Sequence, residues 1–384
     1  MTDWDAHLGD CVAFAQRLIR TPSMTGAEAA VAAVVAGELE RLGYDDVWGD
    51  AAGNIFGRLY GRDRSLPALV LNTHLDHVDP GDPALWPTPP FAAEIRDGRL
   101  IGRGACDIKG PMAVQVHSAA VLLAAGERPR RDMVFCGVVQ EEIGGAGAIH
   151  WVENLDYPVE LVILGEPSSN ALALGHRGII QFWLTFHGRS AHASAPERAD
   201  NPNYALAAFL SQLETAAAGL RVHPVLGPTS VSPTIVQVDT TSGNVTPAWT
   251  RVLLDFRTSS ESVNSLRALI DRLAGQYPHT LAYAEGMASS PLTDSDELIA
   301  GFFIPPDSPL VGRARAALER GMGRELVLTH YRFATDGRHM APRGIPVLGY
   351  APGDEQMAHT AGESIAIDQM LESLRGHVQL LREF

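Results

Sequence analysis

Short apolar segments that end in histidine or carboxylate side chains are the feature that most constrains how this chain can fold. These side chains are His74 and Asp76 in LVLNTHLDHV, Asp107 in GRGACDIKG, Glu141 and Glu142 in VVQEEIGG, Glu166 in VILGEP, and His359 in MAHTAGE. Burying such groups at the ends of strands is costly unless a cation compensates for their charge. We therefore expect metal ions at the place where these segments meet.

The residue types indicate two cations rather than one. Three carboxylate ligands and one hydroxide balance the charge of two divalent ions, whereas a single ion would leave excess negative charge buried. Zinc accepts imidazole and carboxylate ligands readily, and a site with open coordination positions is typical of catalysis. Cobalt and manganese use the same donors, so the sequence favours zinc without excluding either of them.

Local spacing predicts distinct roles for neighbouring polar residues. Side chains alternate along a strand, so His74 and Asp76 share one face, and Asp76 can accept the ring N–H of His74. In the Glu141–Glu142 pair the adjacent carboxylates point in different directions, so one can bind metal while the other acts as a base. Each residue alone also fits an ordinary role in a strand end, turn or loop. Their joint occurrence favours a metal centre.

The distribution of apolar segments predicts two domains. Residues 1–176 and 293–384 interleave short buried strands with helices, which is typical of an α/β sheet covered on both faces and binding its ligands at the strand ends. Residues 177–292 instead contain two helices and about four strands, a combination that indicates a ferredoxin-like α+β unit. The chain has 384 residues, more than one hydrophobic core usually supports.

Composition excludes several classes of partner. The net charge of −15 argues against nucleic acid and anionic membranes, which require basic surfaces. The N-terminal segment MTDWDAHLGD lacks the apolar stretch of a signal peptide, and no apolar run is long enough to span a bilayer. The three cysteines form no paired framework. We therefore expect a cytoplasmic protein without a nucleic-acid or membrane partner.

In their order along the chain, these motifs resemble those of the M20 metallopeptidases, a family of deacylases and exopeptidases, from about Arg17 to the C-terminus. The resemblance implies an α/β catalytic domain of zinc-peptidase type, with a mixed sheet flanked by helices and an inserted lid that usually forms a homodimer interface. It implies that His74 and Glu166 hold one zinc, that Glu142 and His359 hold the other, and that Asp107 bridges the two. Glu141 becomes the general base.

The same resemblance suggests residues for substrate binding. Arg257 in LLDFRTS and Arg177 in GHRGII match segments that bind the substrate carboxylate in the family. Asn244 in SGNVTPA matches an asparagine on the oxyanion or carboxylate side. His192 in GRSAHASAP matches a histidine that the partner subunit contributes to the oxyanion. The alternative for the arginines is a structural role, such as a surface ion pair for Arg257. The alternative for His192 is a position at a helix entry near the interface.

Asp336 and Arg338, in ATDGRHMAPRGIP, are a further pair that could shape the pocket. A helix start is an equally good interpretation of this segment.

The expected activity is hydrolysis of the amide bond of an N-acyl amino acid, as in acetylornithine deacetylase or succinyl-diaminopimelate desuccinylase. The first alternative is a metallo-exopeptidase that cleaves dipeptides or C-terminal residues with the same metals. An amidohydrolase of carbamoylated or ureido compounds fits less well, because Glu142 and Glu166 match the peptidase and deacylase pattern. A catalytically silent dimer that binds amino-acid metabolites is a different class, which Glu141 and the complete ligand set disfavour.

Overall fold

The computed structural model describes residues 2–259, 261–284 and 301–384, and the chain divides into two compact units. The first unit comprises Met1–Gly175, Phe303–Tyr331 and Thr335–Phe384. The inserted unit comprises His176–Phe302 and Arg332–Ala334. It begins at His176, next to the predicted start at residue 177. The predicted return to the first domain, between residues 292 and 293, lies outside the described residues.

The secondary structure alternates as the sequence pattern predicts. The helices are α1 Trp4–Ile19, α2 Ala29–Leu42, α3 Gly110–Ala124, α4 Ala146–Glu153, α5 Pro202–Ala217, α6 Val263–Ala274, α7 Pro309–Met322, α8 Gly337–Met340 and α9 Ile367–Glu383. The strands are β1 Asp46–Gly49, β2 Ile55–Leu59, β3 Ala68–His74, β4 Glu94–Arg96, β5 Arg99–Ile101, β6 Met133–Val138, β7 Val159–Leu164, β8 Leu172–His176, β9 Gly178–His187, β10 Ala191–His192, β11 Val222–His223, β12 Gly227–Pro228, β13 Ser230–Val238, β14 Val245–Thr246, β15 Trp249–Thr258, β16 His279–Tyr283, β17 Phe302–Phe303, β18 Leu328–Tyr331, β19 Val347–Gly349 and β20 Ser364–Ala366.

A mixed sheet of order β1-β2-β6-β3-β7-β19-β8-β17 is the centre of the first unit, and β18 pairs with β8. Strand β3 runs parallel to β6 and β7, whereas β1 and β2 add an antiparallel edge. Every residue of β3 and β6 is buried, as expected for strands covered on both faces. Helix α3 packs against α1 and α9, and α9 also packs against α7. The expected α/β class is confirmed.

The parallel strands deliver polar side chains to one edge of this sheet. His74 is the last residue of β3, Glu141 follows β6, and Glu166 follows β7. Because the carboxyl ends of parallel strands lie at the same edge, these residues come together there. Asp107 lies in the irregular turn directly before α3.

The inserted unit has the ferredoxin-like arrangement that its predicted helices and strands indicate. Its antiparallel sheet has the order β13-β15-β9-β16, and the chain passes through it as β9-α5-β13-β15-α6-β16. Alternate residues of β9 and β15 are buried, because only one face of the sheet packs into the core of this unit. That core includes Phe182 and Phe256 from the sheet, Phe209 from α5 and Ile270 from α6.

The cysteines are three buried free thiols, Cys11, Cys106 and Cys136. Burial raises the pKa of each thiol, so none is activated as a nucleophile. Cys106 precedes the candidate ligand Asp107, but its Sγ lies 3.2 Å from the backbone oxygen of Asp354.

Among the described helices, none combines the length and the apolar character needed to cross a membrane.

Candidate metal centre

The His74 side chain is buried and oriented by Asp76, which follows β3. The Nδ1 atom of His74 lies 3.1 Å from the backbone oxygen of Asp76 and 3.4 Å from its Oδ1. A proton on Nδ1 is therefore donated to Asp76, and Nε2 is left to face the centre of the cluster. Asp76 thus stands where the sequence places the acceptor for this histidine.

Asp107 connects two groups of candidate ligands through its two carboxylate oxygens. Its Oδ1 lies 3.0 Å from Nε2 of His74, which is also 3.9 Å from Oε1 of Glu166. Its Oδ2 lies 3.2 Å from Nε2 of His359, which is also 3.2 Å from Oε1 of Glu142. Ligand atoms of His74, Asp107 and Glu142 lie within 4.8 Å of one another. The structure therefore brings the other four sequence-predicted ligands together around the carboxylate of Asp107.

The electrostatics of this cluster fit a pair of cations. Burial, together with the carboxylates of Asp107 and Glu141, raises the pKa of Glu166 well above its ordinary value, against the opposing effect of His74. Burial and then the Asp336 carboxylate raise the pKa of Glu141 to about 8. The ionised forms of Glu166 and Glu141 are thus disfavoured without further positive charge, whereas the burial of Asp107 is outweighed by His359 and His74, which lower its pKa. Divalent cations among these oxygen and imidazole donors would supply that charge.

The turn that carries Glu141 and Glu142 is fixed by a buried carboxylate. The backbone N–H of Glu141 donates to Oδ1 of Asp76 over 3.1 Å, and that of Glu142 donates to Oδ2 over 3.2 Å. Thr25 donates to the same Oδ2 over 2.8 Å. Asp76 therefore orients His74 and also holds the backbone of the candidate base and of its neighbouring ligand.

Two residues that sequence reasoning missed complete this support. The N–H of Gln140 donates to Oε1 of Glu28 over 3.2 Å, and that of Val139 donates to Oδ1 of Asn54 over 3.0 Å. Side-chain oxygens thus bind four consecutive backbone amides, from Val139 to Glu142. No local pattern around Glu28 or Asn54 signals this contact, because the partners are 112 and 85 residues away in the chain.

Asp336 is a buried carboxylate close enough to Glu141 to affect its ionisation. It lies at the N-terminus of the short helix α8, where its side chain makes no capping hydrogen bond. Its Oδ1 has no hydrogen-bond partner in the part of the chain that the structure describes, and burial raises its pKa to about 6. Arg338 contacts His339 instead, with Nε and Nε2 3.0 Å apart. Both interpretations of this segment, pocket wall and helix start, fit these positions.

In the inserted unit, His192 and Asn244 lie together on a small antiparallel pair of strands. His192 of β10 is paired with Val245 of β14, and the N–H of Ala193 donates to the oxygen of Asn244 over 2.9 Å. The N–H of Ser194 donates to Nδ1 of His192 over 3.2 Å. A neutral His192 therefore carries its proton on the exposed Nε2, where it is available as a donor.

Arg257 and Arg177 also lie in the inserted unit, near each other at one end of β9 and β15. Arg257 forms an ion pair with Asp255, with its Nε 2.8 Å from Oδ1. Arg177 donates to the oxygen of Pro228 over 3.1 Å, and its Nε lacks a hydrogen-bond partner among the described residues. Burial, then Arg257 and Arg332, lowers the pKa of Arg177. The guanidinium groups repel one another, so an anion bound there would relieve their repulsion.

Comparisons with known proteins place this geometry in context. Residues 70–383 match the profile of peptidase family M20/M25/M40. A succinyl-diaminopimelate desuccinylase from Methylococcus capsulatus is 30% identical over 388 residues, which cover 94% of this chain and 95% of that protein.

Two solved structures share the fold. An aminopeptidase from Bacillus cereus has a TM-score of 0.78 at 18% identity, with 98% of each chain covered. A dinuclear metal-binding peptidase of the M20 family from Bacillus subtilis has a TM-score of 0.70 at 15% identity, with 99% of this chain and 100% of that one covered.

The first prediction concerns the pH dependence of cation binding. Hydrogen bonds with Asp107 and Glu142 raise the pKa of His359 to about 10 in the metal-free protein. Burial lowers the pKa of His74, but hydrogen bonds with Asp107 and Asp76 outweigh this effect and raise it. Both imidazoles are thus protonated at neutral pH and must lose a proton to bind a cation, so affinity weakens as pH falls. We expect the zinc affinity to drop at least about tenfold for each pH unit below about 8.

Calorimetric zinc titrations of the metal-free protein, in buffers of different ionisation enthalpy, measure this proton release directly. His359→Gln is the control, because it should lower the number of released protons. An affinity that stays constant between about pH 6 and 8 would contradict the prediction.

Proposed function

Because this chain belongs to peptidase family M20, we propose that it is a dinuclear zinc deacylase that hydrolyses the amide bond of an N-acyl amino acid. Family membership confirms the expectation of a hydrolase that acts on amide bonds. Together with desuccinylases that are about 30% identical over most of the chain, it also confirms the expectation of a metal-dependent deacylase. The observation that carries the dinuclear proposal is the pair of ligand groups on the two oxygens of Asp107. The acyl group and the amino acid are the parts that experiment must identify.

Each proposed ligand belongs to one of these two groups. His74 and Glu166 would hold one cation, Glu142 and His359 would hold the other, and Asp107 would contact both. Zinc suits this mixture of imidazole and carboxylate donors, and cobalt or manganese would also fit. When bound, such cations polarise a carbonyl oxygen and lower the pKa of water.

Glu141 is proposed as the general base. Its carboxylate is adjacent to the ligand Glu142 but is not needed as a ligand itself. Burial and Asp336 raise its pKa to about 8, which suits a group that accepts a proton from water and then donates it to the leaving amine nitrogen. Asp76 acts through His74 and through the backbone of Glu141, to which it is hydrogen-bonded.

The inserted unit would supply the groups that recognise the substrate. The exposed Nε2–H of His192 is a suitable donor to the developing oxyanion, with Asn244 on the adjoining strand. Arg257 and Arg177 would bind a substrate carboxylate, because planar guanidinium groups match carboxylate geometry. Arg257 pairs with Asp255 through Nε and Nη2, so Nη1 lies outside that ion pair.

We propose a homodimer formed through the inserted unit. Strand β13 is an edge strand, and its apolar side chains Ile235, Val236 and Val238 are 44%, 56% and 40% exposed. A groove of about 450 Å³ lies beside it, lined by residues of α5 and by Val231 and Pro233. An exposed apolar edge of this kind is suited to pairing with a second copy.

Three buried free thiols fit a reducing, cytoplasmic environment.

A hydrolysis panel tests the substrate class. Purified enzyme supplied with zinc or cobalt is assayed on N-acetyl and N-succinyl amino acids, dipeptides, and a carbamoyl amino acid, with release of the free amine measured. We expect turnover of at least one N-acyl amino acid at a kcat/KM at least about tenfold above that for the dipeptides. Preference for dipeptides would instead support the exopeptidase, and no turnover of any substrate would support a binding protein.

Replacing the base tests its role separately from metal binding. Glu141→Gln removes the proton acceptor but keeps the size of the side chain, so we expect kcat to fall by about 10² to 10⁴ with unchanged zinc content. Glu40→Gln, at an exposed position of α2, is the control and should retain wild-type activity. Activity of Glu141→Gln within about threefold of wild type would remove Glu141 from this role.

A mixed dimer tests whether His192 acts across the interface. His192→Ala and Glu141→Ala homodimers should each be nearly inactive. Random pairing after co-refolding gives about half heterodimers, each with one site that combines an intact Glu141 and an intact partner His192, so we expect roughly a quarter of wild-type activity. If mixed dimers form but activity stays at the level of the parents, His192 acts within its own chain or has no catalytic role.

A further inference from the structure

Glu363 is a fully buried carboxylate that lies four residues after His359, and its side chain is directed at the turn before α3. Its Oε1 accepts the backbone N–H of Cys106 over 2.9 Å and that of Asp107 over 3.0 Å. Its Oε2 accepts the N–H of Gly104 over 3.0 Å. One side chain therefore binds three amides of the turn that presents Asp107.

Arg103 completes this arrangement from the same turn. Its Nη1 lies 2.6 Å from Oε2 of Glu363, and both side chains are almost completely buried. Four donors thus converge on one carboxylate, with two hydrogen bonds to each oxygen. Burial and then the Asp107 carboxylate raise the pKa of Glu363 to about 7, while these donors act in the opposite direction. The four contacts fix both of its oxygens.

The turn needs this acceptor because its own backbone cannot satisfy these amides. Gly104 has a φ of +81°, and Asp107 departs from helical geometry with φ −124° and ψ 86°. The N–H groups of Gly104, Cys106 and Asp107 therefore point inward instead of into a regular helix. Buried amides without a partner are costly, and a concave set of N–H groups binds an anion well.

The backbone of Glu363 is itself fixed next to this turn. Its carbonyl oxygen accepts the N–H of Gly102 over 3.0 Å, and the following Ser364 of β20 is paired with Ile101 of β5. The side chain and the main chain of Glu363 thus attach to the same loop. The segment that carries His359 and the turn that carries Asp107 are joined at a single residue.

We infer that Glu363 is a positioning residue that sets the orientation of the Asp107 carboxylate and thereby the affinity for both proposed cations. The inference rests on the proposed function, because it concerns the same ligand set. The two oxygens of Asp107 face different histidines at 3.0 and 3.2 Å, so a small rotation of this turn would misalign both contacts at once. Sites of this kind depend on support that holds them to within about 0.5 Å.

Glu363→Gln is a sensitive test because the two residues have nearly the same size. Both oxygens of Glu363 are acceptors, so a glutamine would place an NH₂ group against backbone or guanidinium donors. We expect zinc affinity, measured on the metal-free protein by competition with a chromogenic chelator, to weaken at least about tenfold at both sites. The visible absorption spectrum of the cobalt-loaded protein should also change, because the ligand geometry around the ion would be altered.

Glu38→Gln is the matched control. Glu38 is also a buried carboxylate of the first unit, but its partners are Arg17, Arg41 and His117, which are not candidate ligands. It should keep wild-type zinc affinity and cobalt spectrum even if it lowers the melting temperature. If Glu363→Gln does not fold, Glu363→Asp carries the same test, because a shorter carboxylate keeps its charge but cannot reach all three amides.

The outcomes separate this inference from the proposed function. If the wild type binds two zinc ions and Glu363→Gln binds them with the same affinity and cobalt spectrum, the inference is wrong and the proposed function stands. An equal loss of affinity in Glu38→Gln would also overturn it, because the effect would then follow from general destabilisation. A wild-type protein that binds no zinc would overturn both.

Discussion

The concentration of negative charge around Asp107 is the constraint on which the rest of the first unit depends. Two carboxylates about 4 Å apart repel by about 4 kcal/mol at an effective dielectric constant of 20, so a cluster of them is stable only with cations or protons between them. Three parallel strands end where this compensation is needed, and His74 and His359 approach the two oxygens of Asp107 from different segments. The mixed sheet matters for function because it brings these strand ends to one edge.

A second layer of interactions joins side-chain oxygens to the backbone amides of the irregular turns. Asn54, Glu28 and Asp76 bind the amides from Val139 to Glu142, and Glu363 binds the turn before α3. Neither turn belongs to a long helix or a strand that would satisfy its own donors. Fixed acceptors therefore replace regular hydrogen bonding in the two turns that carry the candidate base Glu141 and the candidate ligand Asp107.

Much of this organisation could be predicted from sequence because it depends on local patterns. Buried apolar runs identified the parallel strands, and the set of two helices and about four strands between residues 177 and 292 indicated the ferredoxin-like insert. The ligand types stood out because acidic and imidazole groups ended those apolar runs. Glu28, Asn54 and Glu363 could not be identified in this way, since their contacts join residues 85 to 259 positions apart and nothing nearby marks them. The roles of Arg177 and Arg257 stay predictions, because the ion pair of Arg257 with Asp255 and the hydrogen bond of Arg177 to Pro228 fit the simpler interpretation equally well.

Strand β13 has a consequence for how this protein would behave if the proposed homodimer came apart. Among the described residues no strand pairs with the outer edge of β13, which lies beside exposed Ile235, Val236 and Val238. Such an edge is a template for any extended polypeptide, not only for a second copy in the correct register. If the protein is the proposed homodimer, dilution or mild denaturation that separates the two copies would expose a nucleus for aggregation. The enzyme would then be lost from solution more readily than its buried core alone suggests.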